Sequence, residues 1–288
     1  MVVTAAFCAV WLSPWAAGKE QLIVEVPESV HAILRFEETG SKLWLEGEKN
    51  LWLYTAADGL KSVAKRDRGF EGSALDENNQ NIFYSTGSDL FFQPLSAKDP
   101  KPTQFSRNPK RDVDPVPLLG GKWVLFASDR DGDFDLYVVQ RDGNKLHRFL
   151  KREGDDRNPD LSPDGRRVMW ISIPPKRQDT SQIFVADIET VKSGDYPVAK
   201  NVRGVTEGVP GLFLQPHWAG NDRYLFTANF RKPLELEGFA AELADSKLAR
   251  VKSLGAPRHY PKQSIESGSH AWIENGQNSS KLLSEKME

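Results

Sequence analysis

Short apolar stretches alternate with polar, turn-forming segments along most of the chain. The clearest unit reads NPDLSPDGRRVMWIS and begins at Asn158. Its segment 162–165, Ser-Pro-Asp-Gly, is typical of a tight turn, because proline and aspartate favour the turn and glycine tolerates a positive φ. The apolar run that begins at Val168 then predicts a second strand, so the unit indicates a β-hairpin.

The same hairpin frame fits the chain six times. The matching segments are 33–45, 72–84, 114–126, 158–170, 215–227 and 260–272. A third short strand is predicted after each hairpin, and a fourth, more polar strand after five of them. Four short strands in a repeat of about 40–45 residues are typical of a β-propeller blade. We therefore predict an all-β, six-bladed β-propeller that occupies residues 19–288 as a single domain.

The sixth copy reaches the last residue, Glu288, soon after its third strand. The apolar segment 21–26, QLIVEV, is predicted to supply the missing fourth strand of this blade. Such closure would leave no open edge in the ring. Tryptophans recur in the second strand of four copies, where we expect them between blades: Trp44, Trp123, Trp170 and Trp272.

The first 18 residues have the pattern of a secretory signal peptide. Residues 2–12 are apolar and uncharged, and small residues follow at 16–18. This predicts export to the periplasm or secretion. No Lys or Arg precedes the apolar run, so the alternative is a buried first strand. The run is too short for a transmembrane helix, and removal of the segment would also remove Cys8, the only cysteine.

Composition narrows the function classes. Lys and Arg number 38 and Asp and Glu 40, for a net charge of -2. This balance argues against a nucleic-acid-binding protein, which would be strongly basic. The sequence contains no Gly-x-Ser-x-Gly, His-Glu-x-x-His or phosphate-loop motif, so the common hydrolase, metalloprotease and nucleotide-binding sites are not indicated.

The strings LSPDGRRVMWIS and ASDRDGDFDLYVV together resemble the WD-like Pro-Asp repeat of the TolB propeller family. Residues 112–190 match this pattern closely, and residues 204–288 match it partly. The resemblance implies an exported, six-bladed, non-enzymatic propeller that binds other proteins. We therefore expect a monomer that binds an envelope protein or a peptide. Because the repeat also occurs in peptidase propellers and in polysaccharide lyases, the alternative is an enzyme with an axial pocket, such as a lyase or glycan hydrolase.

One acidic cluster suggests a cation site. Four aspartates alternate through the segment DRDGDFD: Asp129, Asp131, Asp133 and Asp135. Alternate oxygen donors around a glycine turn suit calcium. The alternative is a hairpin turn with a purely structural role, since the family repeat usually carries most of these residues without needing a metal. No other cofactor is expected.

The repeat frame also predicts a ring of residues on the innermost strands, which line the central channel of a propeller. The ring consists of Arg35, Ala74, Val116, Asp160, His217 and Lys262. The four polar members, Arg35, Asp160, His217 and Lys262, could bind an anionic ligand or a partner's peptide tail. The alternative is that they merely solvate a water-filled channel. With His217 in the site, binding would depend on pH between about 5 and 8.

Overall fold

The computed structural model describes most of the chain from residue 21 onwards. The described residues are 21–36, 42–65, 72–95, 101–177, 179–191, 195–231, 235–244, 247–253, 259–263, 269–275 and 280–286. Within these ranges the regular structure consists entirely of β-strands, which form four-stranded antiparallel sheets. No described segment forms a helix long and apolar enough to cross a membrane. The predicted signal peptide, residues 1–18, lies outside the described residues.

Five sheets are each built from four strands that are consecutive in the chain. Sheet 1 contains β2 (Val30–Phe36), β3 (Lys42–Gly47), β4 (Asn50–Thr55) and β5 (Gly59–Lys65). Sheet 2 contains β6 (Ser73–Leu75), β7 (Asn81–Thr86), β8 (Asp89–Pro94) and β9 (Thr103–Gln104). Sheet 3 contains β10 (Asp112–Leu118), β11 (Trp123–Ser128), β12 (Asp135–Gln140) and β13 (His147–Leu150).

The next two sheets follow the same order. Sheet 4 contains β14 (Asp155–Leu161), β15 (Arg167–Ile173), β16 (Gln182–Val191) and β17 (Tyr196–Gly204). Sheet 5 contains β18 (Phe213–Trp218), β19 (Arg223–Ala228), β20 (Glu237–Ala244) and β21 (Lys247–Ser253). The hairpin of β16 and β17 is the longest of these, and its outer strand packs beside β13 of sheet 3.

The remaining sheet, sheet 6, is composite. It combines β22 (His259–Gln263), β23 (Ser269–Asn275) and β24 (Ser280–Lys286) with β1 (Gln21–Val26) from the start of the chain. β1 runs antiparallel to β24, with Val26 opposite Ser280. Unlike the other five, this sheet is therefore not one contiguous stretch of sequence.

The first strands of the sheets contact one another in the cyclic order β2, β6, β10, β14, β18, β22 and back to β2. These strands are therefore innermost, and the later strands of each sheet lie progressively further from the axis. This is the arrangement of a β-propeller. The prediction of an all-β propeller is confirmed.

The core lies between neighbouring sheets. Trp123 and Trp170 are completely buried and belong to one apolar cluster shared by sheets 3 and 4. Trp170 stacks on Phe184 with ring centroids 5.7 Å apart. Trp44 is buried between sheets 1 and 2. The prediction that tryptophans fill the space between blades is confirmed for these three, whereas the side chain of Trp272 lies outside the described part.

Candidate functional site at the propeller axis

The innermost strands carry β-bulges near the axis. In sheets 3, 4 and 5 the ladder between the first and second strands shifts register, and the residue at the shift adopts a left-handed backbone: Asp114 (φ 54°), Asn158 (φ 52°) and Gln215 (φ 52°). Each is followed by a proline. Proline suits a bulge because it has no N–H that the interrupted ladder would leave unpaired.

Asp114 links three sheets around the axis. Its Oδ2 accepts a hydrogen bond from the backbone N–H of Asn158 at 3.1 Å and lies 3.5 Å from Nε of Arg157. A Cβ atom at Gly72 in the neighbouring sheet would lie only 2.8 Å from Oδ1 of Asp114, so this close approach requires glycine. Burial raises the pKa of Asp114, and the positive charge of Arg157 opposes that rise.

Glu46, at the end of β3, is a second buried carboxyl group close to Asp114. Its side chain accepts a hydrogen bond from the hydroxyl group of Ser73 in β6. Burial raises the pKa of Glu46 to about 7; the bond from Ser73 opposes this rise, and the nearby charge of Asp114 adds to it. Two acids that disfavour simultaneous ionisation thus lie among the first three sheets.

The predicted ring positions are equivalent in the strand ladder. Arg35, Asp160, His217 and Lys262 each lie opposite the third residue of the second strand in their sheet, as Ala74 and Val116 do. The frame derived from the repeats therefore has the correct register in the backbone. For Arg35 and Lys262 the agreement concerns the strand position alone, since their side chains lie outside the described part.

Asp160 of sheet 4 and His217 of sheet 5 lie next to each other at the boundary between the two sheets. Oδ2 of Asp160 accepts a hydrogen bond from the backbone N–H of Trp218 at 2.8 Å and lies 3.6 Å from Nδ1 of His217. The indole N–H of Trp218 donates to the backbone oxygen of Asp160 at 3.2 Å. Asp160 therefore joins two sheets in addition to any role in binding.

Sequence reasoning missed the bulge residues and the two buried acids. Asp114, Asn158 and Gln215 lie two positions before the predicted ring residues Val116, Asp160 and His217, at the register shifts of the ladder. The recurring X-Pro pair at this frame position was an available signal, because proline after a polar residue in a strand is typical of a bulge. Glu46 stands out as a carboxyl group directly after the apolar run 43–45 of β3.

The four aspartates of the predicted calcium site bind different partners. Oδ1 of Asp129 accepts a hydrogen bond from the backbone N–H of Arg111 at 2.8 Å, and Asp131 pairs with Arg148 and with the hydroxyl group of Tyr137. These contacts lie within sheet 3 and at its entry.

The other two aspartates tie the turn to the connection that leads into sheet 4. Oδ2 of Asp133 accepts from the N–H of Gly154 at 2.9 Å, and Oδ1 of Asp135 accepts from the N–H of Arg152 at 3.1 Å. Among the described residues, no group of three or more His, Cys, Asp or Glu side chains is placed to hold a metal ion. These hydrogen bonds favour a hairpin turn with a purely structural role. Calcium binding stays a prediction that this geometry does not support.

Comparison with known proteins places this geometry among other propellers. No family model matches the chain. A TolB homolog of Chlorobium luteolum is 31% identical over 78 residues, which are 27% of this chain and 17% of that protein. A structure described as TolB from Agrobacterium tumefaciens superposes with a TM-score of 0.63 at 17% identity, covering 91% of this chain and 92% of that one. The fold is that of a TolB-like β-propeller.

Enzymes share this TolB-like fold. An oligogalacturonate lyase from Vibrio parahaemolyticus has a TM-score of 0.60 at 12% identity, with 90% of this chain and 75% of the lyase covered. A puromycin-hydrolysing peptidase from Mycobacterium tuberculosis has a TM-score of 0.57 at 14% identity, and only 42% of that chain is covered. At such low identities the TolB-like fold is shared, but the function is not thereby shared.

Proposed function

We propose that this chain is a non-catalytic interaction module of the cell envelope that binds a protein or a peptide tail at the axial end lined by Asp114, Asn158 and Gln215. The proposal is based on one observation: the axial carboxyl groups already accept hydrogen bonds from backbone N–H groups. Asp114 and Asp160 each accept a hydrogen bond from the backbone of the next sheet. A general acid or base must instead direct its carboxyl group at substrate.

Polar groups at this end suit recognition of a peptide, in addition to the pairing of Arg157 with Asp114. The side chain of Asn158 is exposed, and those of Gln215 and Arg157 are partly exposed. Amide and guanidinium groups bind backbone carbonyls and carboxylates. Asn158 and Gln215 lie at the left-handed positions of the bulges, so the backbone that presents them is fixed, which lowers the entropic cost of binding.

The proposal includes the assembly and location of the propeller. We propose that composite sheet 6 acts as a sixth blade, that β1 thereby closes the ring, and that the module is a monomer. Residues 1–18 would direct it to the periplasm or outside the cell. The resemblance of residues 112–190 to the repeat of the TolB propeller family, whose members are typically exported, supports an envelope role.

Site-specific photocrosslinking tests the proposed site. Benzoylphenylalanine at Asn158 should crosslink to a discrete envelope protein in living cells, whereas the same residue at exposed Asp58, in the turn between β4 and β5, should not. A crosslink of equal yield at both positions, or at neither, would contradict binding at this axial end.

The second candidate function is an enzyme with an axial pocket, such as a polysaccharide lyase or glycan hydrolase. It is favoured by one observation, the 3.6 Å approach of His217 to the carboxyl group of Asp160. Incubation with oligogalacturonate and with neutral glycans, followed by product analysis, tests it. Turnover that is abolished by His217→Ala, in a variant with unchanged melting temperature, would replace the binding proposal with this one.

A further inference from the structure

Two leucines at the other end of sheet 3 are exposed. Three large apolar side chains are the most exposed among the residues whose burial the structure describes: Leu119 (51%), Leu146 (45%) and Val202 (37%). Leu119 lies in the turn between β10 and β11, and Leu146 in the turn between β12 and β13. Because the strands are antiparallel, both turns lie at the end of sheet 3 opposite Asp112 and the axial bulges.

A backbone hydrogen bond connects the two turns. The backbone N–H of Arg141, in the second turn, donates to the backbone oxygen of Lys122, in the first, at 3.2 Å. Leu119 itself has φ 50° and is followed by two glycines that also have positive φ. A left-handed backbone is costly for leucine, so this turn holds an apolar side chain outwards in an unfavourable conformation.

The fold does not require leucine at this place. The equivalent turn positions in sheets 2, 4 and 5 are occupied by Glu77, Pro163 and Gly220. Sheet 3 thus carries a large apolar residue where these three sheets carry polar, cyclic or small ones; the sixth copy of the repeat has Ile265 at this position. Strained and exposed residues that the packing does not need are candidates for function.

Positive charges surround the two leucines. Lys122, Arg141 and Lys145 are all exposed in the same two turns. Lys122 is paired with Asp195 at 2.5 Å, whereas no carboxylate of the described residues lies within 4 Å of the cationic groups of Arg141 or Lys145. The one carboxylate within the turns, that of Asp142, accepts a hydrogen bond from the backbone N–H of Asn144 at 2.9 Å. The guanidinium group of Arg141 lies over the ring of Phe92, 5.3 Å from its centroid, so Arg141 and Lys145 can bind carboxylates of another molecule in addition to their contacts within the chain.

We propose that Leu119, Leu146, Arg141 and Lys145 form a second docking surface, the leucine surface, which binds a protein segment with an apolar side chain flanked by carboxylates. Apolar anchors with charged residues at the rim are the usual composition of a protein interface. Turns that are already connected by a hydrogen bond reduce the entropic cost of docking. Cations and the carboxylates of Asp142 and Asp195 alternate at this end, and such a mixture of signs suits a protein segment better than a uniformly anionic bilayer. This site is separate from the proposed axial site.

Selection of displayed random peptides on the full chain tests the leucine surface. We expect enriched peptides in which Asp or Glu flanks a large apolar residue. Binding of these peptides should weaken at least tenfold in Leu119→Ser/Leu146→Ser and in Arg141→Glu/Lys145→Glu. It should not change in Val202→Ser, which makes the same kind of substitution on sheet 4. Unchanged melting temperatures would show that the variants are folded.

Three results would overturn the proposal. The first is that every selected peptide binds Leu119→Ser/Leu146→Ser as tightly as it binds the unaltered chain. The second is that the unaltered chain binds phosphatidylglycerol vesicles through the leucines and binds no peptide, which would indicate a membrane surface. The third is a dimer in sedimentation that the double leucine variant dissociates, which would indicate a second copy of this chain.

Discussion

The carboxylate of Asp160 accepts a hydrogen bond from the backbone N–H of Trp218 at 2.8 Å, and Trp218 returns one from its indole N–H to the backbone oxygen of Asp160. Residues 58 positions apart in the chain are thereby joined across the boundary between sheets 4 and 5. A propeller has no single continuous core, so its cohesion depends on such contacts between neighbouring sheets. Asp114 makes the corresponding link between sheets 3 and 4.

Removing the carboxylate of Asp160 should therefore destabilise the protein. We expect Asp160→Ala to lower the free energy of unfolding by about 1–3 kcal/mol, because the N–H of Trp218 loses its acceptor. Urea denaturation measures this change. The control is Asp179→Ala, which removes an exposed carboxylate paired with exposed Arg177 and should change stability by less than about 0.5 kcal/mol. Equal stability of Asp160→Ala and the unaltered chain would rule out a structural role for this bond.

The contacts of Asp160 show how much of the site the sequence could predict. The repeat frame correctly located Asp160 and His217 at equivalent positions of the innermost strands, because strand register follows from the hairpin pattern. It assigned both to the central channel, either as ligand-binding groups or as groups that merely solvate it. Whether a side chain crosses to the next sheet depends on the distance between sheets and on the twist, which local sequence does not encode.

The bulges illustrate the same limit. The repeat frame puts Asp114, Asn158 and Gln215 on regular strands, since the alternation of apolar and polar residues says nothing about a register shift. Only the proline after each of them carries a local signal. The partnership of Glu46 with Ser73 joins residues of different sheets, and no spacing rule within one repeat could predict it.

Glu46 should make stability fall as pH rises. Its pKa is raised from 4.5 to about 7 in the folded protein, so folding favours its protonated form. The stability that this provides is fully present below pH 4.5 and is lost as pH rises towards and through 7. The loss should be on the order of 3 kcal/mol. Asp156, whose pKa burial raises to about 6, adds a dependence of the same sign.

A matched pair of variants isolates the contribution of Glu46 to the pH dependence of stability. Glu46→Gln keeps the shape of the side chain but cannot ionise, so the difference in unfolding free energy between it and the unaltered chain should change across roughly pH 5–8. Glu48→Gln alters an exposed carboxylate two residues away and should leave the pH profile unchanged. A profile of Glu46→Gln parallel to that of the unaltered chain would show that Glu46 titrates normally.

Removal of divalent cations should not affect the fold. The aspartates of DRDGDFD already bind backbone N–H groups, Tyr137 and Arg148, so we expect a chelator to leave the melting temperature unchanged. Asp133→Ala should lower stability by about 1 kcal/mol through loss of its bond to the N–H of Gly154, with or without calcium. A melting temperature that falls with chelator and is restored by calcium would establish the metal site instead.

Deletion of residues 19–27 should destabilise the whole propeller. β1 pairs with β24 along its length, and its buried side chains Ile23, Val24 and Val26 pack against residues of sheet 1 such as Val30 and Leu43. The strand thus joins both ends of the chain, and its loss would expose the edge of β24 together with part of an apolar cluster. Burial of each such side chain contributes about 1.5–3 kcal/mol, so we expect a much lower melting temperature and aggregation through the exposed edge.

Within the intact strand, Val26→Asp should reproduce the loss, whereas Glu25→Gln, at an exposed position, should not. If the deleted chain melts at the original temperature, β1 contributes nothing to closure and the ring is held by the other sheets alone.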